Sequence, residues 1–150
     1  MILTLMLDPQ LRAQIGAEAR AALPRECCGL MEGIREGSVA RVIAIHPARN
    51  LAEEDDRFEI DPASHIGLVR RLRGTGREII GSYHSHPDGK AEPSVRDCKA
   101  ASDIELLWLI VAVALSQGGA PMVAFGAFEI GPAGQREISI PAVADDSAGA

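Results

Sequence analysis

Aromatic side chains make up only 3% of this 150-residue chain, and acidic residues outnumber basic ones by 21 to 15. The formal net charge is therefore −6 at pH 7. Proteins that bind nucleic acid need Lys and Arg against the phosphates, and single-strand binders add aromatic rings on which the bases stack. The shortage of both argues against nucleic acid as a partner.

A long apolar run is also missing. Residues 106–115 are apolar, but a bilayer-spanning helix needs about 20 such residues, so this stretch predicts a buried strand instead. Residues 1–7 show neither a basic segment nor a small-residue cleavage site, and they do not resemble a signal peptide. We therefore expect no membrane association and a cytoplasmic location.

Cysteine is sparse: the chain has three, the adjacent Cys27 and Cys28 and the distant Cys98. No two of them form the C-x-x-C pair of thiolate zinc sites, and three do not make a disulfide framework. This pattern is typical of a reducing compartment. We expect Cys27 and Cys28 to be small buried apolar residues rather than ligands.

The remaining composition, 47% hydrophobic and 24% charged, is that of a globular protein. The length suits one compact domain, predicted at residues 1–144, followed by a flexible tail at residues 145–150. The hydrophobic patterns predict an α/β (α+β) fold, a mixed β-sheet flanked by two or three helices. The predicted strands cover residues 2–7, 28–34, 39–45, 57–60, 79–86, 106–115, 122–128 and 136–140.

Two helices are predicted from the same start signal, an Asp-Pro pair at residues 8–9 and again at residues 61–62. Asp is a good N-cap, and Pro is favoured at the first helical position. The apolar positions at helical spacing are Leu11, Ile15, Ala19 and Ala22 in the first helix, and Ile66, Val69 and Leu72 in the second. A third helix is predicted from Ser94 to about residue 102.

The strongest chemical signal is the segment GSYHSHP at residues 81–87. Residues i and i+2 of a strand point to the same face, so His84 and His86 face one space. Zn²⁺ binds imidazole nitrogen and prefers four ligands, and Asp97, just beyond a Pro-Ser loop, can add a carboxylate oxygen. Three protein ligands leave one position open, as in catalytic zinc sites.

Ser94 and Asp97 also have a simpler interpretation. Ser-x-x-Asp is the signature of a helix start, with Ser as N-cap and an acidic side chain in the first turn. Taken alone, such a pair most often does no more than cap. The two interpretations are compatible, since a hydroxyl at a helix start can cap the helix and still face a metal site.

Glu26 is the candidate proton carrier. A zinc-bound water needs a group that accepts and returns protons. Glu26 stands where Pro24 ends a helix and an apolar strand begins at Cys28, which is an odd place for a merely solubilising charge. A solvated carboxylate at the start of a strand is the alternative.

Three segments occur in order: PRECCGL at residues 24–30, GSYHSHP at residues 81–87 and AEPSVRD at residues 91–97. Together they resemble the JAMM (MPN-plus) zinc metalloproteases in their short prokaryotic form. The family motif is a distant Glu, then H-[ST]-H, seven residues and S-x-x-D, and every position is matched here. Three motifs in the right order and spacing are far more specific than any one of them.

The resemblance implies an MPN-type fold, a mixed sandwich of the cytidine-deaminase-like kind, and zinc-dependent peptidase or isopeptidase activity. It implies that His84, His86 and Asp97 bind Zn²⁺. Glu26 would be the general base and acid, and Ser94 would hydrogen-bond the oxyanion or the attacking water. Because the family cleaves at the C-terminal Gly-Gly region of ubiquitin-like proteins, the implied partner is a ubiquitin-fold or sulfur-carrier protein.

Other functional classes have less support. A non-catalytic MPN-type interaction module is the main alternative, since it would keep the fold without needing Glu26. A zinc deaminase is disfavoured because the H-x-E and P-C-x-x-C signatures are absent, and no H-E-x-x-H of other metalloproteases occurs. His46 and His65 lie outside the motif and are interpreted as structural.

Overall fold

A computed structural model describes residues 1–100, 106–114, 119 and 121–142 of the chain. It shows one seven-stranded mixed sheet with three helices, which confirms the predicted α/β (α+β) fold. The strands are β1 (Thr4–Met6), β2 (Cys28–Glu36), β3 (Val39–Ala48), β4 (Glu78–His86), β5 (Leu107–Ala114), β6 (Met122–Gly131) and β7 (Gly134–Ile138). The helices are α1 (Pro9–Ala22), α2 (Pro62–Leu72) and α3 (Val95–Ala100).

The strands follow the order β1-β3-β2-β4-β5-β6-β7 across the sheet. The β1–β3 and β4–β5 pairs are parallel, and the other neighbours are antiparallel. Backbone hydrogen bonds join Leu5 N–H to Ser139 O at 2.8 Å and Ser139 N–H to Leu3 O at 3.1 Å. The first strand therefore meets the chain beyond the last one, and the sheet curls until its edges touch.

The two predicted helix starts are confirmed. Asp8 Oδ1 accepts a hydrogen bond from Leu11 N–H at 2.9 Å, and Asp61 Oδ1 accepts one from Ala63 N–H at 3.0 Å. In both helices Pro occupies the first turn, where its missing N–H costs nothing. Among the described residues, no helix is long and apolar enough to cross a membrane.

Helix α1 packs on one face of the sheet and α2 on the other. Leu30 and Met31 are adjacent in β2 and point to opposite faces, so Met31 lies in the main core with α1 whereas Leu30 contacts Leu68 of α2. Cys28 shares the face of Leu30, and its partner across the β2–β4 ladder is His84. The histidines therefore lie on the face opposite α1.

The buried face of α2 differs from the prediction. Leu68 and Leu72 are 1% and 8% exposed, whereas Ile66 and Val69 are 51% and 40% exposed. Assigning Ile66 and Val69 to the apolar face was therefore wrong, and assigning Leu72 was right. The helix is rotated so that Leu68 and Leu72, one turn apart, contact Leu30 of the sheet.

The predicted strand at residues 57–60 was also wrong. Within the described residues, this segment makes only an isolated bridge between Ile60 and Asn50. The Asn50 side chain accepts a hydrogen bond from Glu59 N–H and donates one to Arg57 O, both at 3.0 Å. A side chain thus takes the place of a neighbouring strand as hydrogen-bond partner.

The other predicted elements occur with shifted ends. The first strand, β1, is shorter than the predicted residues 2–7. The strand predicted at residues 136–140 is β7, which begins and ends two residues earlier, and Ser139 forms an isolated bridge. The predicted end of α3 at about residue 102 and the tail at residues 145–150 lie outside the described residues. The extent of a single domain, residues 1–144, stays a prediction.

Gly81 is required by the close approach of β4 and β5. A Cβ atom there would lie 2.3 Å from Leu107 O and 2.8 Å from Met31 Cε. The flexible Met31 side chain can move, but the Leu107 carbonyl belongs to the neighbouring strand and cannot move alone. We expect Gly81→Ala to destabilise the fold by about 1–3 kcal/mol, lowering the melting temperature by about 2–4 °C per kcal/mol in thermal denaturation.

Gly67→Ala is the matched control for this substitution. Gly67 lies inside α2, and a Cβ atom there would meet nothing within 4 Å. Because Ala is the better helix former by about 1 kcal/mol, the control is expected to melt at or above the wild-type temperature. A Gly81→Ala protein that melts with the wild type would show that β4 and β5 pack less tightly than described.

Candidate active site

Most of the buried polar side chains lie together at one place. Among the described residues, the buried polar and charged side chains are Glu26, Glu32, His84, Ser85, His86 and Asp97. Glu32 has its own partner, since its Oε2 lies 3.4 Å from His46 Nε2. The remaining ionisable groups, Glu26, His84, His86 and Asp97, are called the buried cluster below. Because burying charge is costly without compensation, the cluster requires a chemical explanation.

Three atoms of the buried cluster converge on one point. His84 Nε2 and His86 Nε2 are 3.1 Å apart, and Asp97 Oδ2 lies 3.1 Å from the first and 3.0 Å from the second. The histidines alternate with Ser85 at the end of β4, so both rings leave the strand on one side. Asp97 reaches them from the first turn of α3.

Glu26 is placed by the pairing of β2 with β4. Cys27 N–H donates to Ser85 Oγ at 2.7 Å, and Ser85 N–H donates to Cys27 O at 3.0 Å. This exchange continues the register in which Cys28 opposes His84, so Glu26 comes opposite His86. A ligand atom of Glu26 lies within 4.8 Å of those of both histidines.

The Glu26 carboxyl is only 6% exposed, and its Oε1 has no hydrogen-bond partner within the described part of the chain. Burial raises the pKa of Glu26 to about 7, although the charge of nearby His86 acts in the opposite direction. A carboxyl whose pKa lies near neutrality can take up and release a proton at physiological pH. This is the property that a general base and acid needs.

The other members of the cluster are tuned differently. Burial lowers the pKa of His84, which favours its neutral form. Burial acts in the same direction on His86, but hydrogen bonds to Asp97 and to the Lys90 carbonyl outweigh it and raise the pKa of that ring. Burial opposes the charge of Asp97 too, yet hydrogen bonds from the two imidazoles hold the pKa of its carboxyl well below the usual range.

Ser94 caps α3, as the simpler interpretation has it. Its Oγ accepts from Asp97 N–H at 3.1 Å, and its N–H donates to Asp97 Oδ2 at 2.9 Å. This reciprocal pair fixes the Asp97 carboxylate toward the histidines. The Ser94 hydroxyl hydrogen is not used by the cap, so it can be donated to a bound molecule.

The buried cluster fits a zinc ion. Ligands bonded to tetrahedral zinc at about 2.0–2.1 Å lie about 3.3–3.4 Å from one another, close to the 3.0 and 3.1 Å that separate the three converging atoms. Two imidazole nitrogens and one carboxylate oxygen are also a donor set that zinc accepts, with the fourth position left open. The unpartnered Oε1 of Glu26 lies beside this set.

A cleft of about 530 Å³ opens over the cluster. Glu26, His86 and Ser94 line it, and the apolar Pro87 and Val95 form part of its wall. Val95 is 74% exposed, which is unusual for a branched apolar side chain beside a polar site. A molecule bound in the cleft would therefore contact the polar side chains of the site on one side and apolar side chains on another.

A second cavity, of about 380 Å³, lies on the other side of an ion pair between Arg96 and Asp56. The Arg96 Nη1 to Asp56 Oδ2 distance is 2.8 Å, and both residues line both cavities. Asp56 belongs to the loop at residues 51–59, and Arg96 belongs to α3. The pair therefore ties that loop to the helix across the site.

Comparison with known families is consistent with this geometry. The profile of prokaryotic homologs of the JAB domain matches residues 8–125 of the chain. That span contains all four members of the buried cluster and Ser94. The chain belongs to the prokaryotic JAB family. Membership confirms the resemblance to the JAMM (MPN-plus) proteins that the three sequence segments indicated.

Two curated relatives of this JAB domain have descriptive names. Desampylase from Haloferax volcanii is 33% identical over 88 residues, which are 58% of this chain and 62% of that protein. A probable TtuB-protein conjugate cleaving protease from Thermus thermophilus is 38% identical over 91 residues, 56% of this chain and 57% of that protein. The match therefore spans about three fifths of each relative's length.

A solved structure extends the likeness to nearly the whole chain. The solution structure of a protein from Desulfitobacterium hafniense has a TM-score of 0.79 and 31% sequence identity. It covers 94% of this chain and 95% of that chain. The curled sheet and its helices are thus shared from end to end by two members of this fold.

Two residues that support the site of this JAB domain were missed by the sequence analysis. Ser85 was noted only as the middle of the His-Ser-His motif, yet its hydroxyl aligns β2 with β4. Asn50 donates to the Glu26 carbonyl at 3.0 Å while it also holds the loop at residues 51–59. Neither role has a local signal, because Ser and Asn are common in turns and loops for many reasons.

Cys27 and Cys28 are buried as expected, and the interpretation of His65 as structural stays a prediction. Burial raises the pKa of the Cys27 and Cys28 thiols to about 11 and about 12, so neither is a thiolate at neutral pH. Cys98 is exposed and free. His46 pairs with Glu32, away from the buried cluster.

Proposed function

We propose that this JAB domain is a zinc-dependent hydrolase of ubiquitin-like protein conjugates. Its substrate would be a peptide or isopeptide bond at the C-terminal Gly-Gly region of a ubiquitin-fold or sulfur-carrier protein. The observation that carries the proposal is the buried cluster, in which a Glu26 carboxyl whose Oε1 has no hydrogen-bond partner among the described residues lies beside two imidazoles and a second carboxylate beneath an open cleft. The names of the two relatives support the class of substrate.

In this proposal His84, His86 and Asp97 hold the metal. Zinc held there would polarise a carbonyl and lower the pKa of water, so that hydroxide, the better nucleophile, would be available near neutral pH. A hydrogen bond already orients one of these ligands in the structure. The His86 Nδ1–H donates to Lys90 O at 2.8 Å, so Nε2, which faces Asp97 in this structure, is the nitrogen that would lose its hydrogen and bind the metal.

Glu26 is proposed to move the proton. As water oxygen attacks the amide carbon, one of its protons passes to a carboxylate oxygen of Glu26. When the carbon–nitrogen bond breaks, the same proton passes to the leaving amine, so Glu26 ends as it began. Burial raises the pKa of Glu26 in the metal-free site to about 7, which makes its carboxylate a stronger base than that of an exposed glutamate.

Ser94 is proposed to stabilise the negative oxygen of the tetrahedral intermediate. Its hydroxyl lines the cleft, and its position is fixed because Oγ accepts from Asp97 N–H. A fixed donor aimed at an oxyanion is typically worth about 3–4 kcal/mol of barrier. Ser94 therefore has two roles, capping α3 and assisting the reaction.

We also propose a cytoplasmic location and a single domain over residues 1–144. The three cysteines are free, which supports a reducing compartment such as the cytoplasm. The sheet uses residues from Leu3 to Ser139, which supports one domain over residues 1–144.

A non-catalytic interaction module is the second candidate. It would account for the exposed Val95 on the wall of the cleft. It would not account for Glu26, because burying its Oε1 without a hydrogen-bond partner among the described residues costs stability, and an interaction surface has no use for such a group. The enzyme is therefore favoured.

The proposal is tested with purified zinc-loaded protein and ubiquitin-fold or sulfur-carrier substrates. One set carries extra residues beyond the Gly-Gly end, and another is joined through that end to a lysine side chain. Mass spectrometry before and after incubation is expected to show hydrolysis beyond the terminal glycine. The control is the same protein treated with a chelator, with and without added zinc.

Zinc-loaded protein that binds such substrates and leaves their masses unchanged would support the interaction module. Hydrolysis that survives complete removal of metal would show that the cluster acts without zinc, and the proposal would then be wrong in its chemistry.

A further inference from the structure

The two histidines of the buried cluster are supported in different ways. His86 uses its second ring nitrogen to donate to Lys90 O at 2.8 Å. His84 is fully buried, yet its second ring nitrogen, Nδ1, has no hydrogen-bond partner in the described part of the chain. Metal-binding imidazoles nearly always use this nitrogen to fix the plane of the ring. Something else must therefore orient His84.

Aromatic rings occupy the surroundings of His84. The Phe58 ring stacks on the imidazole, with centroids 4.1 Å apart and planes 15° from parallel. Trp108 meets the imidazole edge-on, with centroids 5.6 Å apart and planes at 88°. Phe58 and Trp108 also contact each other at 5.8 Å and 77°.

This arrangement takes a large share of the few aromatic side chains in the chain. The chain has three Phe, one Trp and one Tyr, and two of these five rings lie against a single imidazole. The sheet fixes Trp108, because it is in β5 opposite Ser82 of the histidine strand. Phe58 is on the loop at residues 51–59, so its placement depends on how that loop is held.

The loop is held at both ends of the segment that carries Phe58. Asn50 donates to the carbonyl of Arg57 and accepts from Glu59 N–H, the two residues that flank Phe58, at 3.0 Å each. Asp56 pairs with Arg96 of α3 at 2.8 Å. The backbone on both sides of Phe58 is thus held by Asn50, while the Phe58 ring stacks on His84.

We propose that Phe58 and Trp108 are positioning residues for the metal site, and that stacking on His84 replaces the hydrogen bond that this ligand lacks. The inference rests on the proposed function only in assuming that the cluster binds zinc. Without the stack, the His84 ring can turn about its χ2 angle more freely, since no hydrogen bond among the described residues fixes its Nδ1 side. Its Nε2 would then be directed at the metal for only part of the time.

The test is Phe58→Leu, which keeps an apolar side chain and removes the ring. Zinc affinity is measured by competition with a chelator of known affinity and is expected to fall about 10–100-fold, as for other supports of a metal ligand. Phe58→Tyr, which restores a ring of the same shape, is expected to bind zinc within about 3-fold of the wild type. The visible spectrum of the cobalt-loaded protein is expected to change in Phe58→Leu and not in Phe58→Tyr.

Phe125→Leu is the matched control. Phe125 is partly buried against the main core and contacts Arg12, away from the cluster. The same change of side chain there is expected to leave zinc affinity unchanged. A second measurement needs no variant: in the zinc-loaded wild type, ring-current shifts should move the His84 ring protons upfield in NMR spectra.

The outcomes separate this inference from the proposed function. Wild-type zinc affinity in Phe58→Leu, an equal loss in Phe125→Leu, or unshifted His84 protons would overturn the role of Phe58 alone. A wild-type protein that binds no zinc would overturn the metal site itself.

Discussion

Glu26→Gln is expected to bind zinc as the wild type does and to lose hydrolysis by about 10²–10⁴-fold in kcat/KM. Gln has nearly the shape of Glu, so it fills the same buried space between β2 and the histidines. It cannot accept a proton at neutral pH, and the proton of the attacking water then has no acceptor. The measurement is turnover of a Gly-Gly conjugate alongside zinc content by elemental analysis.

Glu32→Gln is the matched control, because Glu32 is the other buried glutamate of the described residues and lies on the same stretch of chain, in β2. Its partner is His46, away from the cleft, and near-normal turnover is expected. If Glu26→Gln processes its substrate at the normal rate, the assignment of Glu26 as proton carrier is wrong. If it loses zinc instead, Glu26 is a ligand rather than the base.

Asp97→Ala is expected to weaken zinc binding by about 100-fold or more, since losing a direct ligand should cost at least as much as losing a group that supports one. Asp97 Oδ2 lies within 3.1 Å of both His84 Nε2 and His86 Nε2. The substitution also removes the acceptor for Ser94 N–H, so α3 loses about 1 kcal/mol of capping. Turnover should fall with the bound zinc.

Thermal denaturation with and without zinc measures this effect independently of activity. Zinc that binds the folded state stabilises it, by about 4 kcal/mol when free zinc is 1,000 times its Kd. The wild type should therefore melt at a higher temperature with zinc, and Asp97→Ala should show little change. Asp88→Ala is the control, because Asp88 lines the same cleft and, within the described part of the chain, its side chain accepts only from Lys90 N–H. Wild-type zinc affinity in Asp97→Ala would remove Asp97 from the metal site.

Much of this architecture can be predicted from the sequence because its signals are local. The helix starts at Asp8 and Asp61 each depend on one side chain and the next Pro, and both were confirmed. His84 and His86 were likewise expected on one face, because side chains alternate between the two faces of a strand. Local spacing was enough in these cases, since the interacting groups are within a few residues of each other.

The errors arose where tertiary contacts decide. Residues 57–60 have the composition of a strand, but Phe58 turns onto His84 and Asn50 binds the flanking backbone. Ile66 and Val69 have helical spacing, but the sheet offers its apolar surface to Leu68 instead. The residue pattern of one helix or strand does not reveal which neighbouring elements it will pack against.

The approach of Glu26 to the histidines lies between these cases. A distance of 58 residues separates the Cys27 N–H from the Ser85 Oγ that it contacts. Spacing alone does not bring such positions together; the place of Glu26 between a helix end and an apolar strand made it a candidate, and the family resemblance then linked it to the histidines. The structure supplies the physical reason in the pairing of β2 with β4.

The exchange between Cys27 and Ser85 has a consequence for how this scaffold could be altered. Because side chains alternate along a strand, slipping the ladder by one residue would send the Glu26 carboxylate to the far side of the sheet. Its direction is thus set by the pairing of β2 with β4, with a further hydrogen bond from Asn50 to the Glu26 carbonyl. Parts of the cleft border outside Asn50 and the loop at residues 51–59 are therefore open to change for a new substrate while the Glu26 carboxylate keeps its direction.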